Sequence, residues 1–180
     1  MHSFRLAAAL ALFAPAALAC PALPDRSAEF AALFDEARAA PNEMLGRAAS
    51  DKMWAIWTTA PDAAAQELLA QGMTARRYGD FLAAIRAFDA LTTYCPDYAE
   101  GYNQRAFIYF LSGDPAKALP DLERTIAITP DHVGALSGLA LTLIQLGRED
   151  EAQAYLRDAL ALNPWIPERG LLKEPPGKEL

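Results

Sequence analysis

Apolar side chains recur at steps of three and four residues through most of the chain, the spacing that gathers them on one face of an α-helix. Between Gly101 and Ser112 that face carries Tyr102, Ala106 and Tyr109; between Pro115 and Thr129 it carries Ala118, Leu122, Thr125 and Ile126. The residues separating these stretches predict how they are joined. Gly113 offers a permissive backbone for a turn, Asp114 can cap the following helix, and Pro115 fits its first turn. Pro130 cannot continue the second helix, so the chain reverses there. The pattern predicts two antiparallel helices linked by a tight turn.

That unit repeats with a period of 34 residues. Gly79, Gly113 and Gly147 share the period, as do Ala84, Ala118 and Ala152, and Pro96, Pro130 and Pro164. Three residue types on one period predict a helical-repeat array over residues 65–166, with each unit burying its apolar face on its neighbours. Residues 26–61 keep the two-helix rhythm without the glycine turn. Phe30, Leu33, Phe34 and Ala37 line one helix, Leu45, Ala48, Ala49, Met53 and Ile56 the next, and Pro61 ends it. Within residues 20–62 this predicts a degenerate helix pair capping the array, with Trp54 and Trp57 packed on the first full unit. The fold class is all-α: a solenoid of antiparallel helix pairs, three full repeats plus one degenerate pair.

The two ends differ from this pattern. Arg5 followed by an apolar run from Leu6 to Leu18, broken only by Pro15, is shorter than the ~20 apolar residues of a membrane span. With Ala17-Leu18-Ala19 behind it, the run predicts a cleaved export signal over residues 1–19 and a periplasmic or secreted mature protein beginning at Cys20. No later run approaches spanning length. Residues 167–180, with Pro167, Pro175, Pro176 and Gly177, predict a flexible tail. Trp165, Ile166, Leu171 and Leu172 are expected either to fold back over the end of the array or to form a docking or dimer surface.

Charge and chemistry narrow the function. Sixteen basic against 23 acidic residues, a net charge of −7, oppose a nucleic-acid partner, which needs phosphate neutralisation. No nucleophile motif, phosphate loop or metal-ligand spacing is present in the sequence, so no catalytic residue, metal or cofactor is expected. His132, at a repeat boundary, is expected to be a solvated surface group. Paired carboxylates such as Glu149 and Asp150 fall at a helix start, where they favour the positive end. Export would place Cys20 and Cys95 in an oxidising compartment, where they are expected to join. Lipid anchoring at Cys20 is the alternative, weakened by Ala17 standing where lipoprotein signals usually carry leucine.

The units resemble the tetratricopeptide repeat family, whose pattern sets a bulky residue, a small one, Gly-Asp at the turn, alanine in the second helix and proline near the end. Residues 65–98 supply Leu68, Gly72, Gly79, Asp80, Ala84, Phe88 and Pro96; residues 99–132 supply Tyr102, Ala106, Gly113, Asp114, Ala118, Leu122 and Pro130. Residues 133–166 supply Leu136, Ala140, Gly147, Ala152, Leu156, Ala159 and Pro164. The resemblance implies a scaffold and leaves the partner open. It also implies an intra-repeat ion pair between Arg105 and Asp121, and a concave groove offering Leu69, Met73, Arg76, Arg77, Asn103, Phe107, Phe110, Leu141 and Ile144 to a peptide or helix. The expected function is a periplasmic protein-binding adaptor in envelope protein assembly or maturation. A lipid-anchored envelope component is the alternative, and an enzyme the third reading.

Overall fold

The computed structural model describes residues 20–173, so the expected export signal and residues 174–180 lie outside the described residues. Among the described residues eight α-helices follow one another: α1 (Ser27–Ala39), α2 (Glu43–Trp57), α3 (Ala63–Arg77), α4 (Phe81–Tyr94), α5 (Ala99–Leu111), α6 (Pro115–Ile128), α7 (Val133–Gln145) and α8 (Glu149–Leu162). The helix pairs α3/α4, α5/α6 and α7/α8 are the three 34-residue units. Their turns close through Gly79, Gly113 and Gly147 at φ of 76°, 73° and 74°, a left-handed backbone that costs a glycine little. Caps define the starts. Asp62, Asp80 and Asp114 accept the backbone N–H groups of Ala65, Ala83 and Lys117, each satisfying a donor the first turn leaves free.

Packing inside and between units rests on small residues. Ala84, Ala118 and Ala152 are fully buried. A Cβ added to Gly72 would fall 2.3 Å from the ring of Phe88, so α3 approaches α4 only because that side chain is missing. One buried cluster joins α3 and α4 to Ile108 of α5, and a second joins Ala106, Ala118 and Leu122 to Ala135 and Leu139 of α7. The units therefore stack in chain order.

The N-terminal pair breaks that order. Phe30, Leu33, Phe34, Ala37, Ala49 and Met53 share a core with Leu136, Ala140, Leu143, Leu156 and Ala159, on α7 and α8 of the third unit. The expectation that Trp57 packs on the first full unit is corrected here. Trp57 stacks on Phe30 at 5.2 Å and on His132, at the head of α7, at 4.1 Å. The reason lies in the apolar face that α7 and α8 present away from the second unit. The α1/α2 pair carries a matching face, and burying the two together removes both from water.

The disulfide from Cys20 to Cys95, with Cα atoms 5.1 Å apart, fixes the start of this pair to the end of α4. At the start of the expected tail, Pro167–Leu171 forms a 3-10 helix. Trp165 seats over Gly46, where any Cβ would collide at 2.2 Å, and its indole N–H donates to the carbonyl of Ala37 at 3.0 Å. Ile166 is buried beside it, whereas Leu171 and Leu172 stay exposed.

Candidate partner-binding groove

Helices α3, α5 and α7, the first of each unit, line one side of the array. There α5 and α7 enclose a cavity of about 300 Å³ bounded by Phe107, Phe110, Ala106, Leu122, Gly134, Gly138, Leu141 and Thr142, with Arg76 and Asn103 at its polar end. Trp54 of α2 completes the lining. Phe107 keeps 43% of its surface exposed and Trp54 38%, large apolar areas for side chains turned to solvent.

Of the residues the sequence placed in the groove, Arg76, Asn103, Phe107, Phe110 and Leu141 meet around this cavity. Leu69 does not, because it is fully buried between α3 and α4. Met73 packs half-buried against the same core, and Ile144 against the core shared with the N-terminal pair. Arg77 is exposed outside the lining.

The polar end is held from below. Arg76 Nη1 donates to Gln104 Oε1 at 2.6 Å, and its guanidinium lies 5.2 Å from the centre of the Phe107 ring. Half-burial disfavours its charged form, an effect partly offset by the nearby Glu100 carboxylate and reinforced by Arg77. Gln104 in turn donates to Glu100 Oε1 at 2.5 Å, Asn103 donates to Glu100 Oε2 at 3.1 Å, and His132 Nε2 lies 2.9 Å from the same oxygen.

Glu100 and His132 are both completely buried, which corrects the expectation of a solvated His132. His132 caps α7: its Nδ1 accepts the Ala135 N–H at 3.1 Å, so Nε2 carries the proton given to Glu100. Its burial follows from Trp57 lying on its other face. A carboxylate satisfied by three donors can remain in the interior without a direct cationic partner.

Arg105 stands on the opposite side of α5. Its Nε and Nη2 donate to the two oxygens of Asp121 at 2.7 and 2.6 Å, and Nη1 donates to Asp89 at 2.7 Å and Thr92 at 3.1 Å. Hydrogen bonding to Asp121 above all holds the guanidinium charged. With every direction of its fork engaged inside the array, Arg105 has no role in the groove.

Residues 97–164, the second and third units, match the family model described as tetratricopeptide repeat. Over that stretch the chain carries the tetratricopeptide repeat. A TPR repeat-containing protein of Rhizobium etli is 37% identical over 83 residues, 46% of this chain and 36% of that protein. Tetratricopeptide repeat protein 36 of Mus musculus is 35% identical over 108 residues, 57% of each chain. The tetratricopeptide array here thus spans little more than a third to a half of these relatives' length.

Among solved structures, the TPR2B domain of yeast Sti1, in a complex with an Hsp70 peptide, aligns at a TM-score of 0.55 and 23% identity, covering 56% of this chain and 81% of that one. The first TPR of Spaghetti, bound to an HSP90 peptide, aligns at 0.58 and 22%, covering 59% and 85%. At such identities the likeness establishes the tetratricopeptide fold alone.

Sequence reasoning missed Trp54, Gly138 and Thr142 as groove residues. Gly134 and Gly138 stand four apart on α7, and with Thr142 they form one helical lane, a spacing legible in the sequence. Nothing local could have brought Trp54 there, because its place depends on α2 docking onto the far end of the array. Among the described residues no helix is long and apolar enough to cross a membrane.

Proposed function

We propose that this tetratricopeptide-repeat chain is a protein-binding scaffold that holds a peptide or helical segment of its partner in the groove of α3, α5 and α7. The observation that carries the reading is the pairing of an open apolar cavity with Arg76, a half-buried arginine whose side chain donates to the neutral amide of Gln104 and makes no ion pair among the described residues. Apolar anchoring beside one unspent charge suits recognition of a peptide side chain, with the charge fixing orientation. The peptide complexes of the Sti1 and Spaghetti domains support the same use of the fold. Phe107→Ala combined with Arg76→Gln is expected to keep the helical content and melting profile of the parent while losing partner capture. Equal capture by the folded double variant would refute the groove as the binding site.

The setting we propose is the exported side of a bacterial envelope, where the scaffold would serve assembly or maturation of other envelope proteins. The apolar run before Ala17-Leu18-Ala19 and the Cys20–Cys95 bridge support this reading. Intact mass and fractionation of the mature protein test it. Cleavage after Ala19 with one disulfide in the envelope fraction is expected, and a lipidated Cys20 or an uncleaved chain in the cytoplasm would overturn it.

A further inference from the structure

We propose that α2 is a wall of the partner site, and that the pocket it borders takes a peptide segment bearing one bulky apolar side chain with an acidic residue beside it. This rests on the groove being the binding site and adds what fits there. The groove of an open array runs past every first helix, but here the N-terminal pair has folded onto the third unit. Trp54 of α2 thereby lines the cavity together with Phe107 and Leu141. What remains is an open pocket of about 300 Å³ with α2 along one side, at the small end of the range for ligand sites.

The floor of the pocket explains why an apolar side chain enters. Gly134 and Gly138 leave a lane along α7 without side chains. At Gly138 the bareness is structural, since a Cβ would come within 2.9 Å of Leu122. At Gly134 it is not, because a Cβ there would meet only the His132 ring at 3.4 and 3.5 Å. That position is free to carry a side chain and carries none. The lane ends at Thr142, whose hydroxyl is fully buried, lines the pocket and has no hydrogen-bond partner among the described residues.

Charge selects the neighbour of that apolar side chain. Arg76 spends one donor on a neutral amide and lines the pocket, with exposed Arg77 adjacent in sequence. A chain of net charge −7 repels acidic segments in general, so Arg76 at the edge of an apolar pocket gives an acidic residue a favourable place.

The test uses the full mature chain and a displayed library of short random peptides. Selection is expected to enrich sequences in which Leu, Phe or Met stands close to Asp or Glu. Titration of one enriched peptide then reads the wall. Replacing its apolar residue by Ala, or Trp54→Ala in the protein, is expected to weaken binding about tenfold or more. Arg76→Gln should weaken it similarly and flatten its salt dependence. Gly134→Leu should fill the pocket and abolish binding in a protein that folds as well as the parent, leucine being the better helix former.

Enrichment of basic or purely polar peptides, or no enrichment, overturns the proposal. Unchanged affinity in folded Trp54→Ala and Gly134→Leu with loss in Phe107→Ala removes the wall and keeps the groove. No change in any of the three removes the groove as well.

Discussion

Arg105 donates to Asp121 of its own repeat and to Asp89 and Thr92 of the one before, so a single guanidinium ties α5 to both α6 and α4. Asp121→Ala leaves that largely buried charge with only the exposed Asp89 carboxylate. The variant is expected to lose about 2–3 kcal/mol in urea denaturation, below the full cost of orphaning a buried ion because Asp89 stays. Tyr98 gives a pH signature. Its hydroxyl donates to the Trp57 carbonyl at 2.6 Å, and burial above all pushes its ionisation well above the ordinary phenol range. The folded state therefore keeps this proton where the unfolded chain gives it up. The stability it contributes is complete below about pH 10, the unfolded phenol's value, and declines as pH rises further. Tyr98→Phe should cost about 1 kcal/mol at neutral pH and show a shallower alkaline loss than the parent when melting temperature is followed upward from pH 9.

Within the elements, most of the structure was readable before folding. The 34-residue spacing of glycine, alanine and proline located α3 to α8 and their turns, because a tight turn, a close helix contact and a helix stop each admit few residue types. Ala118 shows the packing side of this, being fully buried where α6 meets its neighbours. Ala118→Glu combines overpacking with an unpaired buried charge and is expected to abolish the cooperative thermal transition. An unchanged melt would displace the seam assigned to this residue. The region after α8 was less legible, since its prolines argue against an α-helix but say nothing about docking. Trp165 is held because Gly46 gives its ring room, a contact between residues far apart in sequence. Gly46→Leu should expel the ring, visible as a red shift and loss of structure in tryptophan emission, with destabilisation of about 2 kcal/mol or more.

At the scale of the whole molecule, the decisive feature is an N-terminal pair tied to the first unit by a disulfide and packed on the third. Cross-linking residues 75 apart restricts the unfolded chain strongly. Cys20→Ser with Cys95→Ser is expected to lower stability by about 2–4 kcal/mol, measured by denaturation of the oxidised parent beside the variant. The pair should stay docked, because Phe30, Leu33, Phe34 and Met53 remain buried against α7 and α8. The sequence by itself determined the helix pairs, their turns and caps, and the small residues at their seams, since these follow from neighbours within one 34-residue unit. The family resemblance pointed to Arg76, Asn103, Phe107, Phe110 and Leu141 of the cavity, and equally to Leu69, Met73, Arg77 and Ile144, which lie outside it. Only the tertiary structure decided that the degenerate pair covers the far end of the array, that His132 is buried between Trp57 and Glu100, and that Trp54 stands in the groove. Each depends on which apolar face meets which. A periodic sequence marks every such face alike, and the free energy of burying two of them together is settled only when the whole chain has folded.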